Sequence, residues 1–437
     1  MQDIGLRPWL EPAIGLKQER IGQSIITAEI SAWSATDAKG GYPATVIFFL
    51  TVLALCLYAF LRQIGIDRFM AGSGALLGIL LPGLTRLSLD GFLSHVSILF
   101  VFPFFASLLR SQDLNPRSFI LFFSLTLAYV VAAYSEIAPV GLCTLFLGVL
   151  FVWHDKFRTK RLMLMSSILL ITIINPFYVR SLIQFLGQQY YIAANGTFLD
   201  KMVPNLLTLH GWAELVFRTI TSSPVAALSD YSAILLGLLG FAGAVLLSKR
   251  DRLIFGVVLL PAILVIVYLA IRTPPAHYPI AKITLSILPF AIGLFFVPLS
   301  RFAGNSQGRP LGVLMKLFSA FIVAAAADGS VRYYSEVLNN RGLLRSFREP
   351  RFLDVCRELE EIKNKRVFVD WNDPLLTPWL CYHARHNDVF VDGRLINDPA
   401  FSRLAPFSKI SDLKNIDFVV TLGRIADSRD ATFSGTR

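Results

Sequence analysis

The sequence predicts an all-α polytopic membrane bundle of about ten transmembrane helices, followed by a small C-terminal α/β domain outside the membrane. Three observations carry this. Long apolar runs recur between residues 44 and 327, each near the roughly 20 residues a helix needs to cross a bilayer. Hydrophobic residues make up 54% of the 437-residue chain and charged residues 16%, with 35 Phe, whereas soluble domains carry about 25% charge. From about residue 328 the runs shorten, charges multiply and the pattern becomes that of a globular unit.

The elements are taken in chain order. Residues 1–43 are polar to weakly amphipathic and are expected to be an extracytoplasmic segment. Its stretch "IGQSIITAEISAWSA" (21–35) fits a helix lying at the interface and is too polar to span. The opening "MQDIGLRPWLEPAIGLKQER" has no apolar core of the signal-peptide kind. Spans are expected at 44–61, 69–85, 91–109, 118–133, 137–153, 161–178, 231–248, 253–271, 279–299 and 311–327, giving a transmembrane domain over 44–327. The intervening 179–230, with its aromatics and with His210, Glu214 and Arg218, reads as short helices on or in the outer face.

The remaining 328–437 are expected to form the extracytoplasmic α/β domain. In "EPRFLDVCRELEEIKNKR" (349–366) the apolar residues at 352, 355, 359 and 362 follow a helical period. "VFVD" (367–370), "DVFV" (388–391) and "DFVV" (417–420) read as short buried strands, with "PLLTPWLCYHAR" a helix between the first two.

A formal net charge of +11 raises nucleic acid as a partner, but the positions of the charges argue against it. Arg62 and Arg68, Arg110 and Arg117, Lys156 to Arg161, Lys249 to Arg252, and Arg301 and Arg309 fall in alternate short loops. The short loops of opposite parity hold Arg86 and Arg272. By the positive-inside rule the richer set faces the cytoplasm. The chain is then a multi-pass membrane protein, in contact with membrane lipids, with both termini outside. Of four cysteines, Cys56 and Cys143 fall in spans and Cys356 and Cys381 in the tail, with no metal-like spacing. The tail pair could bridge in an oxidising compartment, although helix-borne cysteines are more often unpaired. Asn195-Gly196-Thr197 matches a glycosylation sequon, a pattern common by chance.

The ionisable residues inside or beside spans, away from the cytoplasmic ends, are Arg86, Asp90, His95, Glu136, Arg272, His277 and Lys282. All fall at external ends under the charge-derived topology. Polar groups in lipid are expensive unless they face a bundle interior or a wet cavity, so their grouping points to one external-side cavity. Lys282 stands one turn inside its span. Snorkelling to the interface is the alternative account of it, and Arg86, Arg272 and Asp90 could be plain loop charges. As a site, Lys282 suits phosphate oxygens, with Arg86 or Arg272 assisting. Glu136 and Asp90 could act as a base or hold a divalent cation, the metal itself being left open.

Three motifs carry a resemblance. "DGFLSHVSILFVFPFFASLLR", "AYSEIAPVGL" with its Tyr-x-Glu-x-x-Pro turn, and "HYPIAKITLSILPF" with its Tyr-x-x-x-Lys segment resemble the C-type glycosyltransferase class of bacterial polytopic membrane proteins. The resemblance implies an enzyme using polyprenyl-phosphate-linked sugars at the external face, in envelope glycan assembly, with hexosyl or pentosyl transfer as the reaction. In that class the catalytic acid lies in the first external loop. Here Asp3, Glu11 and Glu19 are the early acidic residues and nothing in their context marks them. The expectation is therefore that amino-terminal spans and their acidic loop are missing from this chain. The alternative function is a non-catalytic subunit or carrier of an envelope polysaccharide system, working with a membrane-protein partner.

Overall fold

The computed structural model describes residues 29–32, 38–89, 93–111, 114–134, 137–152, 157–174, 205–208, 211–212, 225–271, 277–304, 310–340, 350–369, 380, 384, 387–391, 416–421 and 424–427. The helices are α1 (Ala38–Gln63), α2 (Arg68–Ile79), α3 (Pro82–Leu89), α4 (Leu93–Val96), α5 (Val101–Arg110) and α6 (Pro116–Tyr134). They continue with α7 (Ala138–Leu147), which runs into a π-helical turn at Gly148–Val152, then α8 (Phe157–Ile174), α9 (Val225–Leu246) and α10 (Lys249–Ile271). Last come α11 (His277–Gly304), α12 (Pro310–Asn340) and α13 (Pro350–Glu361). Four strands follow: β1 (Arg366–Val369), β2 (Asp388–Val391), β3 (Phe418–Thr421) and β4 (Arg424–Asp427). The chain divides into two compact units, with the boundary after Tyr334, inside α12.

Among the described residues five helices are long and apolar enough to cross a membrane: Gly41–Gln63, Arg117–Tyr134, Lys249–Ile271, Pro279–Ala303 and Pro310–Ser335. Five of the ten expected spans fall on these helices, and of the others the second and third are interrupted. The second breaks between α2 and α3 at Leu80 and Leu81, ahead of Pro82, and the third is split into α4 and α5. Pro82 cannot donate the backbone hydrogen bond that would carry α2 onward, whereas α11 stays one helix through Pro289 and Pro298. Conversely α1 starts before its apolar run and α12 continues past 327, where Asp328 and Arg332 make an ion pair one turn apart, at 2.7 Å. Residues 29–32 of the expected interfacial helix are helical. The loop 179–204 and His210, Glu214 and Arg218 lie outside the described residues.

α11 is the centre of the helical unit. Its apolar window is 72% buried, against 22% to 50% for the other four long helices. It packs on α1, α2, α5, α9 and α10. Small residues allow this closeness, as in membrane bundles generally. A Cβ at Gly78 would come within 2.5 Å of Leu57, and one at Gly74 within 2.7 Å of Leu61 and 3.1 Å of Phe296. At Gly243 of α9 a Cβ would collide with the backbone carbonyl of Leu294 on α11. Rings fill the wider gaps: Phe60, Phe255 and Phe290 join α1, α10 and α11 at centroid distances of 4.6 to 5.3 Å. Outward, Phe241, Ile271 and Phe321 are each more than 65% exposed, the pattern of helices whose outer face meets hydrocarbon. The protein is a membrane protein with several lipid-facing helices.

The basic loops meet at one end of this unit. Ile64, Gly65, Ile66, Leu247, Ser248, Asp251, Val297, Ser300 and Arg301 line a common cavity of about 140 Å³ there. Gly65 makes the turn with φ 88°, a conformation that costs side chains but not glycine. Asp67 caps α2 by accepting from Phe69 and Met70 amides, and its own amide donates to Ser300 Oγ at 3.1 Å. Ser248 and Asp251 cap α10 reciprocally, the Asp251 amide donating to Ser248 Oγ, which donates to Asp251 Oδ2 at 2.6 Å. Arg110 reaches Asp251 Oδ1 at 2.8 Å.

In the C-terminal unit the sheet order is β2-β1-β3-β4. β1 pairs in parallel with β2 and with β3, and β3 pairs antiparallel with β4. The three expected strands are present, and β4 is added. Val355 and Leu359 of α13 are buried with Val367, Val369, Val389 and Val420, and Ile362 packs against them, as their spacing predicts. Asn387 is fully buried, yet its amide donates to Ile362 O and accepts from the Lys365 amide. The helix expected in "PLLTPWLCYHAR" lies mostly outside the described residues, and so does Cys381, the expected partner of Cys356.

Candidate functional site

At the opposite end of α11 from Ser300, four residues from three elements converge. Lys282 and Ser286 are one turn apart near the start of α11, about 27 Å along the axis from Ser300 at the ordinary helical rise. His95 stands on the single turn α4, and Tyr134 closes α6. His95, Tyr134 and Ser286 are almost completely buried, and Lys282 is half-buried.

The contacts are specific. His95 Nε2 lies 2.7 Å from Ser286 Oγ. Ser286 Oγ donates to the Lys282 carbonyl at 2.9 Å. A hydroxyl has one proton and a carbonyl can only accept, so the imidazole donates from Nε2. The ring of His95 stacks on Tyr134 at 5.2 Å and 17°. Lys282 Nζ lies over the same tyrosine ring, 5.4 Å from its centroid, within the range of a cation–π attraction. Beneath them, Tyr129 Oη donates to Ser97 O at 3.3 Å, fixing the segment that carries His95 to α6.

Local sequence explains each placement. The third apolar run is interrupted between Val96 and Val101, so His95 stands on one isolated turn, and α6 ends at Tyr134. In "KITLS" the spacing of Lys282 and Ser286 puts both on one face of the helix, and Ser286 back-bonds to the preceding turn as serine does inside apolar helices. His95 and Lys282 both stand against the ring of Tyr134. His277 opens α11 and is half-buried. Arg86 lies on α3, with its side chain outside the described residues. Asp90, Glu136 and Arg272 lie outside them altogether, Glu136 two residues beyond Tyr134.

Tyr134 and Ser286 are the members that a search for charges passes over. Both had a signal: Tyr134 sits in the "AYSE" turn and Ser286 lies one turn from the lysine. Among the described residues no group of three His, Cys, Asp or Glu side chains is placed to hold a metal ion. Chemically, the arrangement offers an ammonium with three N–H donors, steadied by an aromatic face and backed by a donor-locked imidazole. That set suits recognition of an anion with several oxygens.

No protein-family model matches the chain, and no curated protein matches it in sequence. Among solved structures it is similar to the mycobacterial arabinofuranosyltransferase AftD, with a TM-score of 0.50 at 14% sequence identity. The match covers 84% of this chain and 28% of that one. The chain thus spans little more than a quarter of that neighbour, and at this identity the likeness is one of fold.

Proposed function

We propose that the protein is a membrane glycosyltransferase that takes a polyprenyl-phosphate-linked sugar at the Lys282 end of the bundle, on the external side of a bacterial inner membrane. One observation carries the reading: Lys282, near the start of the most enclosed helix, is held over Tyr134 beside a hydrogen-bonded histidine. A lone lysine serving as an interfacial anchor needs no such surroundings. The fold likeness to an arabinofuranosyltransferase supports a sugar-transfer role.

In this reading Lys282 contacts the phosphate, with Arg86 and Arg272 assisting as further cations. Phosphate is met by point charges and forked guanidinium donors alike. Glu136, two residues after Tyr134 in the sequence, and Asp90, next in sequence after α3, take the acid–base roles, and His277, the first residue of α11, is a further member. The carboxylates are the residues that would meet a divalent ion, should the reaction use one.

Transfer of radiolabelled sugar from a polyprenyl-phospho-sugar by the purified protein tests this. Lys282→Ala is expected to weaken donor use roughly 30-fold, the size of a charge-assisted bond. Intact binding and transfer in that variant would defeat the assignment. Binding of polyprenyl phosphate without any transfer would favour the subunit or carrier reading instead. Orientation has its own test: single cysteines at 282 and 301, in a background lacking the native cysteines, should label from opposite sides of the membrane.

A further inference from the structure

We infer that His95, Ser286 and Tyr134 are positioning residues that set where the Lys282 ammonium stands; the inference rests on Lys282 being the phosphate contact. The contacts form a closed circuit that begins and ends on Lys282. Its backbone carbonyl accepts from Ser286 Oγ, and Ser286 Oγ is met by His95 Nε2. His95 stacks on Tyr134, and Tyr134 carries the Lys282 ammonium. The main-chain carbonyl and the side-chain ammonium of one residue are thereby referenced to the same imidazole.

A need to satisfy a buried histidine accounts for the His95–Ser286 bond and stops there. It does not account for the return path through Tyr134 to the ammonium. A lysine stem has four rotatable bonds, and freezing them costs entropy that the bound anion would otherwise have to supply. A frame that fixes the ammonium in advance removes that cost, so its effect falls on affinity. The three elements involved, α4, α6 and α11, each contribute one corner.

The test is binding of polyprenyl phosphate to the full-length protein in detergent, with the donor KM and kcat alongside. His95→Ala and Ser286→Ala are each expected to weaken binding about tenfold, raising KM and leaving kcat in place. The double variant should lose no more than either single one, because both break the same circuit. His95→Gln keeps an N–H donor towards Ser286 but lacks the ring that stacks on Tyr134, so it should recover part of the loss.

Fully additive losses, or no rescue by glutamine, overturn the inference. If Lys282→Ala weakens binding and His95→Ala and Ser286→Ala do not, the positioning role falls and the phosphate contact stands. If Lys282→Ala changes nothing, both fall. Should His95→Ala fail to fold, Tyr134 decides: Tyr134→Leu should weaken binding about tenfold and Tyr134→Phe, which keeps the ring face, clearly less. Equal losses in those two variants also overturn the frame.

Discussion

The two ends of the helical unit solve different problems with similar residues. At the arginine-rich end, polar side chains meet helix termini and one another. Asp67 caps α2 and holds Ser300 of α11, Ser248 and Asp251 cap α10, and Arg110 pairs with Asp251. Arg250 donates to the carbonyls of Leu109 and Arg110, the last of α5, where a cation also complements the helix dipole. These bonds close open valences that folding itself creates.

At the Lys282 end the contacts between described residues are of another kind. His95 bonds Ser286 in mid-helix, and Lys282 stands over a ring. An uncharged, apolar set at these positions would pack as well or better. The first end is held together by caps and an ion pair; the second is where the proposed function places its occupant. Side-chain type alone would not have separated them; what each side chain touches does.

Several variants break or sharpen that contrast, the largest effect first. Asp251→Ala removes a cap and leaves Arg110 beside an empty place, and should cost about 3 kcal/mol. A clear fall in the thermal midpoint in detergent checks it, and donor affinity in the surviving protein should be unchanged. Gly243→Ala drives a methyl against the Leu294 backbone and should cost about 2 kcal/mol by overpacking, again a fall in midpoint. Lys282→Ala should do the reverse, with donor affinity lost and the midpoint moved by no more than about 1 kcal/mol equivalent. If Lys282→Ala unfolds the protein, or Asp251→Ala abolishes binding while folded, the two ends are not divided as described.

Smaller effects refine the picture. Ser300→Ala frees Asp67 from α11 and should cost about 1 kcal/mol, the ordinary worth of one hydrogen bond. Arg332→Ala breaks an ion pair whose side chains are 56% and 58% exposed, and such pairs contribute roughly 0.3 kcal/mol. Its midpoint should stay within measurement error and so calibrate the other changes.

Residue types alone located the site only in part. Lys282 and His95 stand out as ionisable groups in apolar surroundings, a property of the string. Tyr134 and Ser286 do not, because aromatic and hydroxyl residues are ordinary inside membrane helices. Their part depends on α4 and α6 meeting the start of α11, which is a matter of packing. The ten apolar segments were equally legible, and their continuity was not. Proline and short polar interruptions decide whether a segment is one rod or two, with neighbouring helices able to compensate for either. In the C-terminal unit, three strands and the α13 face were readable from period and β-branched runs, whereas β4, "RIAD", has too little apolar character to announce itself.

What the amino-acid string determined by itself is the solvent this protein lives in and the elements that cross it, because hydrophobicity and helical period are local and additive. It also marked the ionisable residues that stand in or beside apolar runs. Only the tertiary structure decided which described side chains touch one another and which are caps. Four residues drawn from positions 95 to 286 become neighbours because α4 and α6 reach the start of α11. That packing depends on glycines, ring shapes and proline breaks acting together, and no local window contains them all.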